Sequence, residues 1–117
     1  MRISEQKLNP SLKNQIVKTF AQTLADLKDL GEAETFLKDF FNQNELETFA
    51  KRLAIVYWLK KGRSYANIKQ NLKVSSATIA SVQGLTKKAG LKLALQKIEA
   101  EEWAAVWAEK IRKFVRK

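Results

Sequence analysis

Ser64-Tyr65-Ala66-Asn67-Ile68-Lys69-Gln70-Asn71-Leu72-Lys73-Val74-Ser75-Ser76-Ala77-Thr78-Ile79-Ala80-Ser81-Val82 is the stretch on which the reading of this chain turns. Ser64 and Ser75 each stand where a hydroxyl can accept a backbone N–H at the start of a helix. Ile68 and Leu72 are expected to point inward from a first short helix, Val74 to plug a turn, and Ile79 and Val82 to anchor a second helix. That spacing predicts two helices packed across a tight turn, the geometry of a helix-turn-helix. Ser76, Ala77, Ala80 and Gln83 are then left facing outward. An ordinary helical hairpin would share the apolar spacing, but the paired caps and the charge around the motif favour the helix-turn-helix.

Charge is distributed unevenly around this stretch. Residues 1–47 carry six basic and eight acidic groups, residues 48–98 carry eleven basic groups and no acid, and residues 99–117 carry five and four. Nearly all of the net charge of +10 therefore surrounds the motif. A surface built only for solubility interleaves both signs, whereas a one-sign block gains free energy from a polyanion by releasing its counterions. Nucleic acid is the first partner this pattern implies.

Composition narrows the classes further. A chain of 117 residues, 45% of them hydrophobic, can bury the core of one domain but hardly of two. It has no cysteine, which rules out disulfides and thiolate chemistry, and no histidine, the usual proton shuttle near neutral pH. The cluster Glu99, Glu101, Glu102 and Glu109 lacks histidine and any sign of a pocket, so solvated helix charge accounts for it better than a metal or a catalytic carboxylate pair. Ser75, Ser76 and Thr78 have no base beside them, and no glycine-rich phosphate loop is present. The expectation is a non-enzymatic protein without cofactor or metal. Its longest apolar run, Leu53 to Leu59, falls far short of a bilayer span, and the polar start Met1-Arg2-Ile3-Ser4-Glu5-Gln6-Lys7 has no signal-peptide core. A cytoplasmic location without membrane attachment is expected.

One proline and four glycines fall where apolar periodicity breaks, which predicts an all-α fold. Asn9-Pro10 should open a first helix running to about Leu30 on a face of Leu12, Ile16, Phe20, Leu24 and Leu27, with Gly31 as its stop. A second helix carries Phe36, Leu37, Phe40 and Phe41. Asn44 with Glu47 resembles a capping box for a third, lined by Leu46, Phe49, Ala50, Leu53, Val56 and Tyr57 and ended by Gly62. After the motif, Leu91, Leu95 and Ile98 and then Trp103, Val106, Trp107, Ile111 and Phe114 continue an amphipathic pattern. Glu99-Ala100-Glu101-Glu102 is expected to start a new helix there, giving two helices rather than one. Trp103 and Trp107 could anchor a partner or a membrane surface, but packing against the protein's own core or dimer mate is the favoured reading.

At these residues the chain resembles the Trp repressor superfamily, and most closely its small bacterial YerC/YecD branch of helix-turn-helix proteins. The similarity extends over Leu24-Ala25-Asp26-Leu27-Lys28-Asp29, Phe36-Leu37-Lys38-Asp39-Phe40-Phe41, Asn44-Glu45-Leu46-Glu47, Lys51-Arg52-Leu53, Ser64-Tyr65 and Ser75-Ser76-Ala77-Thr78-Ile79. Each word is weak alone; their order and spacing are specific. The resemblance divides the chain into a Trp repressor-like domain at 1–86, with the helix-turn-helix at 64–83, and a C-terminal helical extension at 87–117 packed on the same domain or on the dimer mate.

The resemblance implies a homodimer whose N-terminal helices interlock and present two recognition helices to successive major grooves. It places Lys69, Ser76, Ala77 and Ala80 at DNA. Lys60, Lys61, Arg63, Lys73, Lys87 and Lys88 are expected at phosphates, Ser75 at the start of the recognition helix, and Gln83 as the one amide able to reach a base edge. Arg52 matches one ligand-binding arginine of the family, but Ser81 stands where the other is usual and Val82 where a small glycine lies beside the indole. A tryptophan corepressor is therefore not expected. Lys73 also departs from the family, standing where the turn usually has a glycine.

The reading that results is a regulator of transcription, a repressor by occlusion, acting on double-stranded DNA as a homodimer. The alternative is a non-enzymatic helical interaction protein that binds a protein, RNA or anionic membrane through its basic and tryptophan-bearing surfaces.

Overall fold

The structure, a computed structural model, describes residues 6–115; the side chains of Trp103, Val106, Trp107, Phe114 and Val115 lie outside the described residues, and with them the expected Trp103/Trp107 anchor. The fold is all-α, with α1 (Pro10–Ala25), α2 (Leu30–Phe40), α3 (Gln43–Lys60), α4 (Tyr65–Leu72), α5 (Ser76–Gln83) and α6 (Ala89–Val115). The chain separates into two compact units, 1–46 and 47–117.

In the first unit, the Asn9 side chain accepts from the N–H groups of Ser11 (2.9 Å) and Leu12 (3.4 Å), with Pro10 in the first helical turn as expected. α1 does not reach Leu30. Asp26 closes it, and Asp29 opens α2 by accepting from the Glu32 N–H at 2.9 Å while Glu32 accepts from the Lys28 N–H at 2.9 Å. Two local carboxylate bonds thus outcompete continuation of the helix. Gly31 consequently lies in the first turn of α2 rather than after the end of α1.

The capping box of α3 is formed by Asn42 and Glu45, not Asn44 and Glu47. The Glu45 N–H donates to Asn42 Oδ1 at 2.8 Å, and the Asn42 N–H donates to Glu45 Oε1 at 3.0 Å, so two otherwise orphaned donors are satisfied together. Phe36 and Phe40 stack at 5.0 Å, and Phe20 meets Phe40 edge-on at 5.2 Å. Even so, no residue of α1 or α2 is buried.

The second unit has the core. Ile55, Val56, Ile68, Ile79, Val82 and Leu95 are buried, with Trp58, Leu59, Leu72, Val74 and Leu91 half-buried against them. The face of α3 turned to this core is its C-terminal part. Phe49 and Leu53, expected on the inner face, are exposed, because Ile55 and Val56 take the positions against α4, α5 and α6.

α6 is one continuous helix, which corrects the expected break at Glu99-Ala100-Glu101-Glu102. No proline and no glycine after Gly90 interrupts it, and Glu and Ala are good helix formers. The glutamates act sideways instead of starting a new helix. Glu99 lies 3.8 Å from the Lys60 ammonium and Glu102 3.3 Å from that of Lys61, both at the end of α3. The boundary expected at 86/87 falls inside this unit, just before α6 begins.

Candidate nucleic-acid interface

The approach to the motif is fixed by the way α3 ends. The Arg63 N–H bonds to the Trp58 carbonyl and the Gly62 N–H to the Leu59 carbonyl, both at 3.0 Å, which is a Schellman closure. It requires a left-handed residue, and Gly62 supplies one at φ 83°. An apolar contact usually seals such a closure; here the Arg63 guanidinium lies over the Trp58 ring, 4.0 Å from its centroid. Arg63 also donates to Asn67 Oδ1 at 3.3 Å, tying the closure to α4.

Ser64 caps α4 by accepting from the Asn67 N–H, and Ser75 caps α5 by accepting from the Thr78 N–H, each at 3.1 Å. The Ser75 and Thr78 hydroxyls also bond to each other at 2.9 Å. Ser75→Ala should lower stability by about 1 kcal/mol in urea unfolding, the usual cost of losing an N-cap hydroxyl.

Between the two helices Lys73 adopts the left-handed conformation, φ 56° and ψ 50°, and its N–H closes α4 on the Lys69 carbonyl at 2.9 Å. The turn thus keeps the geometry that favours glycine and imposes it on a lysine. A side chain there costs about 1–2 kcal/mol, partly offset because glycine is more disordered when unfolded. Lys73→Gly should therefore raise the unfolding free energy measured in urea by up to about 1 kcal/mol.

Ile68, Ile79 and Val82 point into the core, as the spacing predicts, and Leu72 and Val74 are half-buried. Lys69, Lys73, Ser75, Ser76, Ala77 and Ala80 are exposed, and so are Lys87 and Lys88 in the connector to α6. Lys60, Lys61, Arg63 and Gln83 are exposed as well, but each has a partner within the chain. Lys60 and Lys61 face the α6 carboxylates, and Arg63 stacks on Trp58. Gln83 accepts at its side-chain carbonyl from the Tyr65 hydroxyl, joining the end of α5 to the start of α4. That bond uses one of the carbonyl's two lone pairs and ties the amide to Tyr65, and a bidentate adenine contact needs both halves of the amide turned to the base.

Arg52 lies over the Phe49 ring at 5.4 Å and lines a cleft of about 730 Å³ together with Lys51, Lys73, Ser75, Ala77 and Ser81. One wall of that cleft is the motif's own turn. Apolar spacing does not mark Tyr65 or Asn67 as part of this arrangement. The serine cap at Ser64 draws attention to the start of α4, but a bond across 18 residues has no local signature.

Geometry of this kind, two capped helices set across a left-handed turn with a basic exposed face, defines a helix-turn-helix protein of all-α architecture. Residues 15–98 match the family model of the Trp repressor protein, and the chain belongs to that family. It is similar to the uncharacterized protein YerC of Bacillus subtilis (strain 168), with 34% identity over 61 residues, which is 52% of this chain and 59% of YerC. The aligned part thus spans less than two thirds of that relative's length. No solved structure matches the chain. Among the described residues, no helix is long and apolar enough to cross a membrane.

Proposed function

We propose that the protein is a non-enzymatic, cytoplasmic regulator of transcription that binds duplex DNA through α4 and α5 as a homodimer, repressing by occlusion. The observation that carries this reading is the exposed face of a doubly capped helix-turn-helix inside a 51-residue segment, 48–98, that has eleven basic groups and no acid. Family membership supports it.

The recognition helix offers small side chains, Ser76, Ala77 and Ala80, and its one long amide, Gln83, is tied to Tyr65. Selectivity then comes from alanine against thymine methyl groups, from water bridges and from DNA shape. Affinity comes from Lys69, Lys73, Lys87 and Lys88 at phosphates, with smaller shares from the already paired Lys60 and Lys61 and from Arg63.

Dimerisation is supported by unburied apolar surface. Leu12, Ile16 and Leu24 of α1 are 45–48% exposed, Phe40 of α2 is 56% exposed, and separately Phe49 and Leu53 of α3 are exposed by more than 40%. A soluble chain rarely leaves so many large apolar groups in water without a partner. Sedimentation should give twice the 13.4 kDa chain mass.

Selecting bound duplexes from a random pool at near-physiological salt tests the whole reading. An inverted repeat is the expected outcome. Unselective recovery with steep salt dependence would reduce the function to charge-driven binding. No recovery at all would favour an interaction protein instead.

A further inference from the structure

A second cleft, of about 400 Å³, lies between α3, the end of α5 and α6, and shares no residue with the Arg52 cleft. Its floor is apolar, made by Val56, Leu59 and Leu95. Its rim carries Lys60, Lys92 and Gln83 against one carboxylate, Glu99. We propose that this cleft binds a small monocarboxylate with an apolar body, of the arylacetic or branched aliphatic type.

Three features of the rim select an anionic head. Lys92 has no carboxylate partner among the described residues. Lys60 has only the 3.8 Å pair with Glu99, in which both side chains are about half exposed, and such pairs contribute little. An incoming carboxylate displaces Glu99 at small cost. Gln83 accepts from the Tyr65 hydroxyl at its side-chain carbonyl, and the NH2 group of the same amide is a donor. The neighbouring Thr86 hydroxyl donates to the Gln83 backbone carbonyl at 2.8 Å. Two ammonium groups and an amide N–H lining one cleft with a single carboxylate leave a net positive rim that is complementary to a single negative head.

The floor selects the rest of the ligand. An inorganic anion would satisfy the rim but leave the half-buried Leu59 in contact with water, whereas an aryl or branched alkyl group covers it against Val56 and Leu95, which are already buried behind it. The volume falls in the range of small-ligand sites, where an apolar lining with a few convergent polar groups is the rule.

The test uses the full chain without DNA, so that its outcome is independent of the DNA-binding reading. Phenylacetate, its uncharged analogue phenylacetamide, and acetate are each titrated while backbone and side-chain amide resonances are followed. Saturable binding of phenylacetate is expected, with the Gln83 side-chain NH2 among the shifted signals, and at least tenfold weaker binding of the other two. Lys60→Gln with Lys92→Gln should weaken phenylacetate at least tenfold while the melting temperature holds, since both side chains lie at the rim. Lys51→Gln, in the other cleft, should leave binding unchanged. Equal binding of acetate and phenylacetate, undiminished binding by the double variant, or no saturable phenylacetate binding would each overturn the proposal.

Discussion

Ile79→Ala is expected to lower the unfolding free energy by about 2–5 kcal/mol, the range for truncating a large aliphatic side chain in a packed core. Ile79 is fully buried, and its companions Ile55, Val56 and Ile68 are equally enclosed. The surrounding cluster is small, and α4 and α5 have only eight residues each, so neither helix can persist by its own propensity. At the middle of that range and of the roughly 5–15 kcal/mol that a domain holds in total, the urea midpoint should come down by about a third. Ala80→Ser, one residue along but solvent-exposed, should move stability by no more than about 0.5 kcal/mol. Equal effects from the two substitutions would contradict the inward and outward assignment of α5.

Lys69→Glu combined with Lys73→Glu is expected to reduce duplex affinity more than tenfold and to flatten the salt dependence. Each phosphate contact contributes about 0.9 to the slope of log K against log salt, so removing two should reduce that slope by about 2. Both lysines are exposed and neither faces a carboxylate among the described residues. The fold should survive, because carboxylates near the end of α4 oppose the helix dipole by only about 0.3–1 kcal/mol each. Lys60→Gln with Lys61→Gln provides the contrast. Those ammonium groups already lie beside Glu99 and Glu102, so the loss of affinity should be smaller. Unchanged binding by the double charge reversal in a folded protein would remove α4 and its turn from the DNA interface.

What was legible in the sequence was local. Asn9, Ser64 and Ser75 cap helices as their positions predict, since a cap is satisfied two or three residues away. Ile68, Ile79 and Val82 are likewise placed by helical periodicity alone. Errors arose where neighbouring signals competed. Asn42 and Asn44 could each begin α3, and only the reciprocal bond with Glu45 decides between them. Gly31 looked like a stop because the stronger device, the Asp29 and Glu32 carboxylates on backbone N–H groups, leaves no mark on apolar spacing. The glutamates of α6 had the composition of a helix start, whereas their role depends on lysines at the end of α3, far away in sequence. The site followed the same division. The motif's outward face was readable, but the bonding of Gln83 to Tyr65 and the stacking of Arg63 on Trp58 arise only once distant segments are brought together.

The stacked pair at the entry to the motif also provides an optical gauge. An indole with a guanidinium 4.0 Å above its ring emits according to that cation's position. With Trp103 and Trp107 replaced by phenylalanine, Trp58 would be the sole indole fluorophore, because the chain has three tryptophans in all. A phosphate that draws Arg63 off the ring would then change the emission at the moment of arrival. The protein would report its own encounter with a duplex, without an attached dye, on the timescale of stopped-flow mixing.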